Sequence, residues 1–306
     1  PKLILFHASM KNMTFCSWYH IDGRAMKHKI SAVILGLLFL TGLSIMLYPT
    51  VSNLINRQNQ SRAIGAYEKT VDQLGEEDFK KEWEQAEAYN TYLEKYSTFE
   101  YAAEGEKNKS GSPYESLLNV AGNGIMGVLE IPAVNISLPI YHGTTNEVLQ
   151  VGAGHYLGSS LPIGGEGTHA VLTGHRGLPS AKLFTDIDRL KKGDVFHIRT
   201  LGKTLAYQVD QIKTALPDDV SALETEVGKD YVTLVTCTPY GVNTHRLLVR
   251  GVRIPYEEEA GDIYVPSDAR LLDPMLIAPI LALPMILIVG ICLTITYIIR
   301  RRGERV

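Results

Sequence analysis

The chain has 306 residues and a formal net charge of −3, with acidic and basic residues nearly in balance. A near-neutral chain of this kind lacks the excess of basic residues that is typical of nucleic-acid-binding proteins. Its length allows one or two domains. Its apolar residues are spread unevenly, and two long runs without charged residues dominate the pattern.

The two apolar runs occupy residues 30–51 and 275–299. Each is close to the about 20 residues that a helix needs to cross the hydrocarbon core of a bilayer. We therefore predict two transmembrane helices. A signal peptide is the alternative for the first run, because its start is basic and its middle is apolar. The run has no clear cleavage site before Tyr48, which favours an uncleaved anchor.

Basic residues flank both runs on their outer sides. Arg24, Lys27 and Lys29 precede the first run, and Arg300, Arg301, Arg302 and Arg305 follow the second. The positive-inside rule then places residues 1–29 and the tail at 300–306 in the cytoplasm. Met26 is a candidate start of translation, since the basic residues and the apolar run follow it directly. The segment between the runs is expected to be extracellular.

Residues 52–124 predict a helical region followed by a loop. Residues 52–60 are polar and suggest a connector next to the membrane, whereas Ser61–Tyr96 predicts helices separated at Gly75. Apolar side chains recur there at helical spacing, which predicts a stripe that packs on the main domain: Ile64, Tyr67, Val71, Leu74, Phe79, Trp83, Ala86, Tyr89 and Leu93. Residues 97–124 are rich in Gly, Ser, Lys and Asn and predict a flexible loop.

Residues 125–256 contain short β-branched runs broken by Gly and Pro, which predicts a closed or nearly closed β-barrel. The predicted strands are Met126–Ile131, Ile136–Ile140, His169–Thr173, Val195–Thr200, Thr204–Lys213, Tyr231–Cys237 and Arg246–Ile254. Lys182–Leu190 has apolar residues at helical spacing and predicts a helix. Residues 257–274, with the acidic Glu257–Glu259, predict a solvated linker.

One cysteine lies in the segment between the two apolar runs. Cys16 falls in the N-terminal segment and Cys292 within the second run, so Cys237 has no disulfide partner in the outer domain. Turn-forming residues after Cys237 predict a hairpin over Tyr231–Arg250 that brings Cys237 beside Arg246. A thiol next to a guanidinium is a candidate nucleophile, and an inert buried cysteine is the alternative.

A nucleophilic cysteine needs a base or a cation nearby, because a free thiol is mostly protonated at neutral pH. Four histidines of the barrel region are candidates: His142, His155, His169 and His175. His175 is best placed, since it follows an apolar strand and opens a loop. His197 alternates with apolar residues on a strand, and His245 should point away from the face of Arg246.

Several stretches of the chain resemble sortases, the membrane-bound cysteine transpeptidases of Gram-positive bacteria. They are V-L-T-G-H-R-G-L-P at residues 171–179, T-L-V-T-C-T-P at 233–239, H-R-L-L-V-R-G at 245–251 and the long run at 148–165. With two membrane spans, the chain is most similar to class C, the pilus-polymerising sortases. The resemblance covers roughly Ser61–Tyr256 and implies a mainly β fold, an eight-stranded sortase barrel with short helical insertions and an N-terminal helical region.

The resemblance also implies roles for individual residues. Cys237 matches the family nucleophile, His175 the catalytic histidine and Arg246 the catalytic arginine, while Thr236 matches a common threonine assigned to substrate binding. The implied reaction cleaves an LPXTG-like sorting signal through a thioacyl intermediate. In class C the acceptor is a lysine amine of the next pilin, and in housekeeping sortases it is a peptidoglycan precursor.

One feature departs from the class C pattern. Class C sortases usually carry a lid with an Asp-Pro-aromatic motif, and the nearest match is Ser112-Pro113-Tyr114, which lacks the acid. Serine cannot form the salt bridge that the resemblance implies for the aspartate, so a weakened or absent lid is expected. We expect no metal and no cofactor. A membrane-tethered scaffold with an inert cysteine is the alternative from outside the enzymes.

Overall fold

The computed structural model describes residues 15–96, 113–256 and 290. The chain divides into two compact units, Pro1–Tyr48 with Leu272–Val306, and Pro49–Leu271. The predicted linker at 257–274, the second apolar run at 275–299 and the basic tail lie outside these residues, apart from Gly290 in a helical conformation.

Helix α1 spans Phe15–Asp72 and runs through both units. Within the described part of the chain, one helical stretch, Ile34–Asp72, is long and apolar enough to cross a membrane. Large apolar side chains in it are exposed, including Leu35 and Met46. Residues 52–60, predicted as a connector next to the membrane, continue the helix. Some of their polar side chains hydrogen-bond the barrel. The Gln60 side-chain amide, for example, donates to the Val151 carbonyl at 3.0 Å.

Helix α2 spans Glu76–Tyr96, so the predicted break at Gly75 is confirmed. The predicted apolar stripe packs on the main domain, with Tyr67 and Ala86 fully buried. The Tyr67 hydroxyl donates to the Met126 carbonyl at 3.3 Å and accepts from the Leu201 amide at 3.0 Å. These contacts fix the helical region against the strands.

Eight strands form a closed barrel in the order β1-β2-β3-β4-β7-β8-β6-β5, which confirms the expected fold. They are β1 (Ile125–Ile131), β2 (Ile136–His142), β3 (Ala153–His155), β4 (Thr168–Thr173), β5 (Val195–Thr200), β6 (Lys203–Ala215), β7 (Asp230–Thr238) and β8 (His245–Ile254). Two pairs, β2/β3 and β4/β7, are parallel, and the other neighbours are antiparallel.

All seven predicted strands are present, and the sequence missed β3, which is too short to show an alternating pattern. It also missed the short helix α3 (Asn146–Val151). The helix predicted at Lys182–Leu190 is wrong: turns occupy 183–186 and a 3-10 turn occupies Ile187–Arg189. The apolar residues of this segment are buried as the spacing predicted: Leu183, Phe184, Ile187 and Leu190. A tight turn with Leu183 at φ +39° buries them without an α-helix.

Alternation along β7 separates two apolar clusters. Val232 and Leu234 belong to the main core, whereas Val235 belongs to a smaller cluster with Val171 and Leu248. Because successive strand residues face opposite sides of a sheet, the small cluster lies on the outer face of the barrel. Cys237 has the same parity as Val235 and therefore lies on this outer face.

Candidate active site

Cys237 and Arg246 are directly opposite each other on the antiparallel strands β7 and β8. Directly opposed residues in an antiparallel pair share one face of the sheet, with their β-carbons about 5 Å apart. Both residues are half-buried. The predicted hairpin, with Cys237 paired with Arg246 across the two strands, is therefore confirmed, and Cys237 is a free thiol.

His175 follows β4, the parallel neighbour of β7 on its other side. Thr173 is in register with Val235, and the Gly174 amide donates to the Val235 carbonyl at 3.0 Å. His175 comes two residues after Thr173, as Cys237 comes two residues after Val235. The histidine and the cysteine thus lie at the same level, near the carboxyl ends of two neighbouring parallel strands.

Thr236 ties the two strand ends together. Its side chain is 1% exposed, and its hydroxyl donates to the Gly174 carbonyl at 2.7 Å. A buried hydroxyl engaged with backbone favours a role in holding the segment before His175, in place of the substrate contact that the resemblance implied for Thr236.

The other candidate histidines are engaged away from Cys237. His142 lies within hydrogen-bonding distance of the carbonyls of Gly124 and Leu117. The His155 ring contacts the Tyr114 hydroxyl at 2.8 Å and the Ser160 carbonyl at 2.8 Å, and burial lowers its pKa to about 4.

His169 contacts the Glu224 carbonyl and the Thr233 hydroxyl, and burial likewise lowers its pKa to about 4. Two of the four candidates are therefore buried neutral rings. Among the four, His175 is the one that the strand register brings to Cys237.

Sequence reasoning missed Arg176, which lies next to His175. Its guanidinium donates to the Thr238 hydroxyl at 3.1 Å, forms an ion pair with Asp188 and lies 5.9 Å from the Tyr240 ring centroid. Arg176 therefore joins the loop after β4 to the residue that follows Cys237. The available signal was a second cation immediately after a strand-end histidine.

The lid segment is described only in part, because Ser112 lies outside the described residues. A 3-10 turn covers Pro113–Ser116, and Tyr114 is 1% exposed. Its hydroxyl accepts from the Gly143 amide at 3.1 Å, and its ring packs against His142 and His155. These contacts favour an anchor between α2 and the barrel, and the lid role of this segment stays a prediction.

The small outer cluster adjoins the site along the strands. It comprises Val171, Ala215, Leu223, Val235 and Leu248, with Tyr156, Val220 and Ala222 packed against it. Val235 and Leu248 each lie two residues from the Cys237–Arg246 pair. Several of these side chains come from the connection between β6 and β7, so this connection covers an apolar surface that leads to the thiol. Within the ranges that the structure describes, no group of His, Cys, Asp and Glu is placed to hold a metal.

The sortase domain family matches residues 129–254 of the chain. Among solved structures, sortase C1 from Streptococcus agalactiae is 50% identical with a TM-score of 0.60, over 64% of this chain and 100% of that one. Sortase C from Streptococcus pneumoniae is 45% identical with a TM-score of 0.57, over 64% and 97%.

Most of the curated relatives match over less than two thirds of their length. Sortase D of Bacillus subtilis is 33% identical over 131 residues, which are 42% of this chain and 63% of that protein. The chain thus spans less than two thirds of that relative.

Proposed function

The chain belongs to the sortase family of cysteine transpeptidases, and on that premise we propose that it is a class C-type enzyme whose nucleophile is Cys237. The observation that carries the proposal is the arrangement of three neighbouring strands, β4, β7 and β8. They bring His175, Cys237 and Arg246 to one end of the barrel. A half-buried thiol on a strand whose two neighbours lead to a histidine and an arginine is suited to nucleophilic catalysis.

The proposed reaction has two steps. The Cys237 thiolate attacks the threonine carbonyl of an LPXTG-like signal, and the tetrahedral intermediate collapses to a thioester while His175 protonates the departing amine. An incoming amine then attacks the thioester, His175 accepts its proton, and the thiolate is released. Arg246 donates hydrogen bonds to the oxyanion or to the substrate backbone, where a positive charge stabilises the developing negative charge. The apolar outer cluster supports the signal peptide next to the thiol.

We assign pilin subunits as the substrates and a pilin lysine amine as the acceptor. The support is the pattern of identities. Sortase C structures match at 43–50% identity, including sortase C1 of a pilus island and an S. pneumoniae sortase C described for its pilin substrate specificity. Curated relatives named sortase A match at 26–33% identity. Attachment of surface proteins to a peptidoglycan precursor is the weaker candidate.

The proposed location is the cell membrane, with the catalytic barrel outside. The apolar part of α1 is the anchor, and the basic residues before it face the cytoplasm. The second apolar run, at 275–299, is proposed as a second span that returns the basic tail to the cytoplasm. An insertion test with a reporter fused after residue 306 separates this two-pass arrangement from a single anchor.

The test of the activity is incubation of the full chain with candidate pilins, followed by denaturing electrophoresis. Covalent ladders of increasing mass are expected from the wild type, and none from Cys237→Ala or His175→Ala. His197→Ala is the matched control and should form ladders normally, since His197 lies on β5, which does not neighbour β7, and its ring packs against Tyr256. Attachment to wall precursor without ladders would support the housekeeping reaction. A Cys237 that does not react with a methanethiosulfonate reagent, together with no product, would support the scaffold.

A further inference from the structure

The part of helix α1 that lies in the barrel unit hydrogen-bonds the segment that follows His175. The Asn53 side-chain oxygen accepts from the Lys182 amide at 3.0 Å. The Asn56 side-chain nitrogen donates to the Ser180 carbonyl at 2.7 Å. Residues three apart lie on the same face of a helix, so the two asparagines form one contact surface for this segment.

From Lys182 the contacts lead back to the histidine. The next residue, Leu183, is buried with φ at +39°, a backbone conformation that is strained for residues other than glycine. The Phe184 amide then donates to the His175 carbonyl at 3.0 Å.

Beside that bond, the Phe184 ring packs on Gly174 so closely that a β-carbon there would lie 2.6 Å from it. The backbone on both sides of the His175 side chain therefore rests against Phe184. A strained conformation persists only where its surroundings hold it, and Asn53 bonds the residue immediately before the strained leucine.

We propose that Asn53 and Asn56 are positioning residues for His175, through which helix α1 sets the placement of the catalytic histidine against Cys237. The proposal rests on the proposed function, in which His175 pairs with the Cys237 thiol. This role would give the N-terminal helix a part in the reaction. The same helix includes the apolar stretch that we propose as the membrane anchor. A barrel without residues 49–72 would lack this support.

Substitutions at the two asparagines test each contact. Asn56→Asp replaces a donor by an acceptor and turns it toward the Ser180 carbonyl, while Asn53→Asp keeps the acceptor that Lys182 needs and Asn53→Ala removes it. Gln60→Glu is the matched control for Asn56→Asp. It makes the same exchange on the same helix, also opposite a carbonyl, but its partner is Val151.

The measurement is the rate at which Cys237 reacts with a methanethiosulfonate reagent as a function of pH, in the full chain. This rate follows the thiolate fraction, which a nearby histidine changes. We expect Asn56→Asp and Asn53→Ala to move the profile toward that of His175→Ala, with a change on the order of fivefold or more at neutral pH. Asn53→Asp and Gln60→Glu should retain the wild-type profile.

The outcomes separate this proposal from the function on which it rests. Wild-type profiles for Asn56→Asp and Asn53→Ala, or an equal shift in Gln60→Glu, would overturn the positioning role. A His175→Ala profile identical to the wild type would overturn the cysteine–histidine pair itself. With a pilin substrate, the positioning role further requires a lower kcat at unchanged KM in Asn56→Asp, since the substrate surface is not altered.

Discussion

Thr236→Val is the sharpest test of how the strand ends are held together. The change keeps the size of the side chain and removes the hydroxyl that donates to the Gly174 carbonyl at 2.7 Å. Since Thr236 is 1% exposed and Gly174 is buried, water does not readily replace the donor. The expected loss in the free energy of unfolding is about 1–3 kcal/mol, the cost of leaving a buried acceptor without this partner.

The same change should also slow the reaction. Gly174 immediately precedes His175, and a displacement of a catalytic group by about 1 Å can cost on the order of a hundredfold in rate. We expect a fall in kcat of roughly tenfold or more, which corresponds to about 1.4 kcal/mol in the activation free energy. The assay is initial-rate peptide cleavage by the full chain in detergent, with thermal unfolding measured on the same samples.

Thr200→Val is the matched control. Thr200 is fully buried on β5, a strand that does not neighbour β7. Its hydroxyl donates to the Pro162 carbonyl at 3.0 Å. It should lose similar stability and keep its kcat at temperatures where both variants are folded. Equal kcat values for the two variants would refute the reasoning that Thr236 holds the histidine.

Three further predictions concern buried residues. His155 and His169 have pKa values near 4 in the folded protein, below the unfolded value of 6.5, so the unfolded chain binds more protons. Stability should therefore fall as pH decreases from about 6.5 to about 4, by roughly 2 kcal/mol per histidine at pH 5, and urea unfolding at several pH values checks this. Gly174→Ala should lower stability by about 1–3 kcal/mol and reduce peptide cleavage, because the new β-carbon meets a buried phenylalanine ring, whereas Gly75→Ala should change neither appreciably. Tyr114→Phe should lower the melting temperature without raising turnover; a rise in turnover would instead indicate a lid.

The parts of the fold that sequence predicted are those with a strong local pattern. β7 and β8 are apolar runs on either side of turn formers, so both the hairpin and the pairing of Cys237 with Arg246 could be predicted. β3 could not, because three residues carry no periodicity. The segment at 182–190 misled the prediction, since a turn with a left-handed leucine buries the same residues that a helix would.

The sequence predicted the candidate catalytic residues better than the contacts that hold them in place. Position at a strand end favoured His175, but its alignment with Cys237 depends on the parallel β4/β7 register, which no local signal encodes. The bonds from Asn53 and Asn56 join residues far apart in the chain, and ordinary polar residues on a helix give no sign of their partners. Tyr114 belongs to a partial match to the lid motif, and its contacts with His142 and His155 join residues that are distant in the sequence.

The parallel pairing of β4 with β7 also affects when the enzyme can become active. Parallel neighbours form contacts between distant parts of the chain, and such contacts form slowly in folding. The β7–β8 hairpin is local, so Cys237 and Arg246 can meet early, while His175 reaches them only after β4 has docked on β7. Until β4 has docked on β7, the thiol therefore lacks the histidine that we propose as its partner, and closure of the barrel completes the proposed site.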